Sequence, residues 1–204
     1  MTHSQQIHRR QHVPIVSLVE HRTKGRKMSL ASYMNWKPED GFKYEWNDGI
    51  LEKQQMIKPE EFPLVRNLKQ ALRQTQSFQT GGDFYTEFAC RTTEKQVRVP
   101  DISFYTADEI NLAAQSRIIP RFVVEIISAY DAGERTLLKV HEYLRAGVEI
   151  VWHIYPQMRQ VWIFRDTNHI TVCSDDMSCS AAPVIPDLQI TVNDIFHNIP
   201  SPAK

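Results

Sequence analysis

Phe122-Val123-Val124-Glu125-Ile126-Ile127-Ser128 is an apolar, β-branched run with one carboxylate near its middle. Introduced by Pro120-Arg121, it reads as an inner β-strand. An ionised carboxylate left unpaired in an apolar interior costs several kcal/mol or more. Glu125 therefore needs a protein cation, a proton or a metal. Downstream, residues 132–146 carry Leu137, Val140, His141 and Leu144 on one helical face, closed by Gly147 as a C-terminal cap. Residues 148–154 and 160–164 read as two more strands separated by a turn at Pro156. Upstream, Asp101 interrupts a second β-rich run, Val97-Arg98-Val99-Pro100-Asp101-Ile102-Ser103-Phe104-Tyr105.

The flanking segments extend this pattern. Residues 43–57 read as a β-hairpin around the turn signal Asn47-Asp48-Gly49. Residues 60–76 place Leu64, Val65, Leu68, Ala71 and Leu72 at helical spacing, and Gly81-Gly82 ends that unit. Strands are expected over 83–92 and 96–106, a short helix or loop over 107–116, strand candidates over 169–174 and 188–192, and a closing helix from Asp194. Ser29 is placed to cap a helix that follows Met28. The order of elements gives an α/β (α+β) class with a mixed sheet. Residues 1–27 differ in composition: six Lys or Arg face one acid, Glu20. They read as a basic, poorly ordered arm or an arm that touches phosphates, ahead of one domain over 28–200.

Bulk properties are ordinary for a globular protein. Hydrophobic residues make up 42% and charged residues 24% of the chain, and 24 Lys+Arg balance 24 Asp+Glu. Zero net charge leaves nucleic acid open as a partner, because a nuclease needs acids at its centre and bases around its groove. Cys90, Cys173 and Cys179 lack metal-type pairing, and their odd number fits reduced thiols in a cytoplasmic protein. No apolar run approaches the ~20 residues of a membrane span, and no secretory leader is expected. No phosphate-binding glycine loop is present.

The chemistry rests on Asp101, Glu125 and Lys139. Neighbouring strands would aim Asp101 and Glu125 into one cleft. With the Ile126 carbonyl, they form a hard oxygen site suited to Mg²⁺ or Mn²⁺. Such an ion activates water for phosphodiester hydrolysis, and Lys139 is placed to orient that water or neutralise developing charge. The structural alternative is a salt bridge from Glu125 to Lys139 or Arg121, with Asp101 as a turn residue.

Tyr44-Glu45-Trp46-Asn47-Asp48-Gly49-Ile50-Leu51-Glu52 resembles the YEL-x-DG-x-L-x-E opening of the Uma-two family of restriction-endonuclease-like proteins, within the PD-(D/E)xK nuclease superfamily. Val97–Asp101 resembles its VRVPD motif and Val123–Ser128 its VVEVLS motif. Lys139, Tyr143, Gly147-Val148 and Trp152 follow its K-x-x-x-Y-x-x-x-GV-x-x-x-W stretch. The resemblance implies a restriction-endonuclease-like mixed central sheet flanked by helices. It implies a DNA endonuclease with Asp101 and Glu125 as Mg²⁺ ligands, Lys139 as catalytic lysine, and Glu45 completing the site or facing solvent on the hairpin. It also implies a homodimer. The chain departs from the family at Glu61 (or Phe62), where a His is usual, and at Arg135 and Tyr155, where Asp is usual. Those departures keep open a degenerate nuclease fold that acts as a nucleic-acid-binding or regulatory module. A purely structural or protein-interaction domain is the third class.

Overall fold

Pro100 breaks the long strand expected over residues 96–106. Proline has no N–H for a ladder, and the chain leaves one sheet there and enters another. The computed structural model describes residues 25–113, 118–128, 131 and 133–200; most of the basic segment at residues 1–27 lies outside them. In chain order, the elements are α1 (Leu30–Asn35), β1 (Lys43–Asn47), β2 (Ile50–Gln54), a 3₁₀ turn (Pro59–Glu61), α2 (Phe62–Leu72), α3 (Gln76–Gln79), β3 (Asp83–Thr86), β4 (Cys90–Thr93), β5 (Gln96–Arg98), β6 (Ile102–Tyr105) and α4 (Ala107–Ala113). They continue with β7 (Phe122–Ile126), α5 (Gly133–Ala146), β8 (Ile150–Tyr155), β9 (Gln160–Phe164), β10 (Ile170–Ser174), β11 (Ser178–Ala181), β12 (Ile185–Thr191) and α6 (Val192–Ile195).

The central sheet has six strands in the order β10-β9-β8-β7-β6-β3. It is mixed: β7 and β8 pair in parallel across the α5 crossover, and the other neighbours are antiparallel. A second, four-stranded sheet runs β2-β1-β5-β4, and β11 pairs with β12. The expected strand 83–92 also divides between two sheets. Glu87 turns the chain with φ 52°, and its N–H donates to the Asp101 carbonyl at 3.0 Å.

Local signals explain the ends of several elements. Asp48 and Gly49 both adopt positive φ, as a two-residue hairpin turn between twisted strands requires. The Ser29 hydroxyl accepts from the Ser32 N–H and caps α1. Gly147 (φ 109°) ends α5, and the Val148 N–H returns to the Tyr143 carbonyl. Backbone bonds from Met28 to Gly49 and from Leu51 to Arg26 tie residues 26–28 to the hairpin.

Two apolar layers cover the central sheet. On one face, Leu64, Leu68 and Leu72 of α2 and Val192 and Ile195 of α6 pack with Val124, Ile126, Trp152 and Ile154. On the other, Val140 and Tyr143 of α5 pack with Val123, Val151 and Phe164. The inward face of α5 differs from the sequence expectation: Leu137 is 42% exposed and His141 is half-buried, while Tyr143 is fully buried. β11 was not expected, because Ser178-Cys179-Ser180 lacks the β-branched and aromatic residues that mark strands. Leu68→Ala should lower stability by roughly 2–5 kcal/mol, read from urea unfolding; a change under about 1 kcal/mol would contradict the α2 packing.

Candidate active site

Asp101 sits at the corner between β5 and β6. Its Oδ2 accepts the Ile126 N–H at 2.7 Å, and its Oδ1 pairs with Lys43 Nζ at 2.5 Å. The first contact brings Asp101 to the end of β7, where Glu125 lies. Both carboxylates, with Lys43, Glu61, Ile126, Ile127, Arg135, Lys139 and His153, line a cleft of about 70 Å³, enough for several waters. The expected meeting of Asp101, Glu125, Ile126 and Lys139 thus occurs, at the seam between the two larger sheets.

Glu125 is 5% exposed, and neither Lys139 nor Arg121 forms its ion pair. Its Oε1 accepts from the Tyr143 hydroxyl at 2.7 Å. Arg121 pairs with Glu149, and Lys139 Nζ lies 3.0 Å from Glu45 Oε1. Glu45 does not face solvent from the hairpin: it is fully buried, and it lies behind Lys139 without lining the cleft. Its other oxygen holds Arg98 Nη1 at 2.7 Å, and the Val99 N–H donates to Oε1 at 3.2 Å. Arg98 also binds Glu52 at 2.8 Å and Glu142 at 2.7 Å, so one guanidinium joins β1, β2, β5 and α5. Arg135 fits this network by pairing with Glu52 at 3.0 Å, which gives that departure from the family pattern a local role. The Asp131 carboxylate accepts the Ser128 N–H and closes a turn before α5. Trp46 is buried and donates to the Met28 carbonyl, so its ring is not presented for base stacking.

The titration behaviour follows from burial and charge. Burial, then the charges of Asp101 and Glu45, push Glu125 up to about 7 against the opposing pull of Lys139 and Lys43. Burial also opposes ionisation of Glu45, but Lys139 and Arg98 outweigh it and bring its pKa down to about 2. Burial disfavours charge on Lys43, yet Asp101 and Glu125 keep it charged and raise its pKa. Burial, reinforced by Lys139, lowers His153 to about 4. His153 is fully buried opposite Glu125 in the parallel register, and its Nε2 has no hydrogen-bond partner among the described residues. Counted together, the cleft and the network behind it set carboxylates 45, 52, 61, 101, 125, 131 and 142 against cations 43, 58, 98, 135 and 139, an excess of two negative charges. A proton on Glu125 would offset one of them, and a bound divalent cation both.

The donor chemistry fits Mg²⁺ or Mn²⁺. Mg²⁺ keeps several waters and is often held by one or two carboxylates, which Asp101 and Glu125 supply beside a water-sized space. No group of three His, Cys, Asp or Glu side chains poised around one ion occurs among the described residues. Lys43 supplies positive charge against Asp101 in this arrangement.

The model of the Uma2 family, described as "Putative restriction endonuclease", matches residues 30–193. The chain belongs to the Uma2 family. Among solved structures, it is similar to a protein from Anabaena variabilis described as a "putative nuclease belonging to DUF820", with a TM-score of 0.70 and 17% identity over 83% of this chain and 97% of that one. That likeness establishes the restriction-endonuclease-like fold. A comparison with curated proteins gives no match. The Uma2 motifs marked Asp101, Glu125, Lys139 and Tyr143, and the structure gives Tyr143 a reason: its hydroxyl holds Glu125. Lys43, Arg98 and His153 had no assigned role in the sequence. Strand alternation offered a signal for two of them, since Lys43 lies two residues before Glu45 and His153 two after Val151. Alternation along one strand does not report which distant strand or helix lies opposite, so it names no partners.

Two predictions follow from these charges. Arg98→Ala leaves Glu45 buried beside one fewer cation and should cost about 3–5 kcal/mol in urea unfolding; a loss below about 1 kcal/mol would show that Lys139 alone compensates Glu45. Glu125 binds its proton more tightly folded than unfolded, so its contribution to stability is full below about pH 4.5 and is lost as pH rises through about 7. In a chelator, Glu125→Gln should match wild type near pH 4.5 and exceed it by roughly 2–3 kcal/mol at pH 8. Equal stability of the two proteins at pH 8 would contradict the burial of an uncompensated charge.

Proposed function

We propose that this Uma2 protein is a metal-dependent endonuclease that hydrolyses DNA phosphodiester bonds in the cleft at the sheet seam. The observation that carries the reading is that Asp101 and Glu125, both buried, line one cleft with Lys139, where carboxylates outnumber cations once the network behind the cleft is included. Asp101 and Glu125 would hold Mg²⁺ or Mn²⁺, with the Ile126 carbonyl as a further oxygen. Such an ion, when bound, polarises the phosphodiester and lowers the pKa of water.

The side chains have distinct tasks in this reading. Lys139 orients the attacking water and offsets charge that develops on the phosphoryl oxygens. Glu45 acts as a positioning residue: its carboxylate holds the ammonium of Lys139 at 3.0 Å. Tyr143 fixes one oxygen of Glu125. A homodimer would let two such clefts cut opposite strands. The Lys43–Asp101 pair favours a second reading, because a resident ammonium compensates Asp101 without any metal. In that reading, the protein is a nucleic-acid-binding or regulatory module with a nuclease fold.

Nicking of supercoiled plasmid with Mg²⁺ or Mn²⁺ separates them. Wild type should nick, and Asp101→Ala, Glu125→Ala and Lys139→Ala should each fall by roughly 10²-fold or more. Titration calorimetry with Mn²⁺ alone should give binding to wild type that Asp101→Ala and Glu125→Ala abolish. Equal nicking by wild type and all three variants would remove these residues from catalysis; Mn²⁺ heat absent from wild type would favour the module.

A further inference from the structure

A second, larger groove of about 610 Å³ opens beside the cleft, and Met56 lines both. One wall is α2 with its C-cap Arg73, presenting Phe62, Arg66, Lys69 and Arg73; the remainder includes Ile57, Thr86 and Glu87. The α2 spacing of three and then four residues places the three cations along one helical face. Leu64, Leu68 and Leu72 on the opposite face anchor that helix in the core. Among the described residues, no carboxylate forms an ion pair with Arg66, Lys69 or Arg73. The groove's one acid, Glu87, is already engaged, since its Oε1 accepts the Ile57 N–H at 2.9 Å.

This pattern differs from that of the cleft. The cleft lining sets four carboxylates against four cations, and the buried cations Lys43, Arg98 and Lys139 are all paired. The groove holds three cations without carboxylate partners on a rigid helix. Seven residues of α-helix rise about 10 Å, the axial length of about three nucleotides of one strand at ~3.4 Å each. Met56, 43% exposed, lines both cleft and groove, and Phe62, 57% exposed, begins α2 on the groove wall. An acidic partner with regularly spaced charge suits the wall better than a purely apolar one.

We propose that Arg66, Lys69 and Arg73 form a track for the phosphodiester backbone on one side of the cut site, with nucleic acid passing from the cleft into the α2 groove. This rests on the nuclease reading and adds the direction of the bound strand. Phosphate contacts of this kind set register and affinity without reading sequence, so the track binds different sequences alike. Phe62 offers an exposed aromatic face to a strand that enters the groove.

The test uses the full chain in chelator, a labelled DNA duplex, and fluorescence anisotropy across a KCl series. The triple variant Arg66→Gln, Lys69→Gln, Arg73→Gln should lower the slope of log affinity against log salt by about 2–3 and weaken binding roughly 10²-fold near 0.1 M salt. A control with the same charge change outside the groove, Lys37→Gln, Lys95→Gln and Arg145→Gln, should retain most of the wild-type slope. Thermal melting establishes that both variants fold. Wild-type binding with an unchanged slope in the triple variant would overturn the track, and continued plasmid nicking by wild type would leave the nuclease reading intact. Failure of wild type both to bind DNA and to nick plasmid would overturn both. Loss of self-association in the triple variant by light scattering, with DNA binding unchanged, would identify the groove as a contact between copies and overturn the track.

Discussion

Charge burial at the seam between two sheets constrains this protein more than any other interaction. Carboxylates 45, 101 and 125 are all withdrawn from water, and each is held differently. Asp101 takes a backbone N–H and an ammonium; Glu45 takes a guanidinium, an ammonium and a backbone N–H; Glu125 takes a phenol and is left near neutral pH in its ionisation. Glu45 is stabilised as an anion, while Glu125 remains poised between its forms. Such a separation of environments among neighbouring acids is a physical signature of a chemical site.

The fold delivers the acids by ending strands rather than extending them. Pro100 stops β5, the chain changes sheet, and Asp101 lands at the corner where it can reach the Ile126 N–H. The α5 crossover then lays Lys139 and Tyr143 over β7, one turn apart on the same helical face. Arg98 fastens the hairpin to that helix through carboxylates 45, 52 and 142. Its loss would therefore disturb both stability and the position of Lys139, and stability and chemistry are not separable at this residue. The α2 groove lies outside this balance. Among the described residues, Arg66, Lys69 and Arg73 form no ion pair with an acid.

Much of the site was legible in the sequence, for a local reason. An acid in an apolar β-branched run is an anomaly visible within seven residues, and the same holds for Asp101 after Val99-Pro100. The helix with Lys139 and its Gly147 cap were equally local. Where the structure differs from the sequence pattern, the reason is also physical. Strands 83–92 and 96–106 each divided because their halves belong to different sheets, which β propensity does not report. The inward face of α5 was misassigned because Leu137 outranks Lys139 in hydrophobicity, yet buried charge elsewhere drew Lys139 and Tyr143 inward. β11 carried no β-branched signal and formed through pairing with β12.

By itself, the sequence determined most of the element types, several caps and turns, the two acids that had to be compensated, and the Uma2 motifs that frame them. Those properties depend on residues within a few positions of one another, where periodicity and backbone preference act directly. Tertiary structure alone decided the partners: Lys43 for Asp101, Tyr143 for Glu125, and Lys139 with Arg98 for Glu45. These contacts join residues 18 to 94 positions apart. Electrostatic compensation acts through distances of a few ångströms in space, and no pattern along the chain records which distant strand or helix will supply the opposite charge.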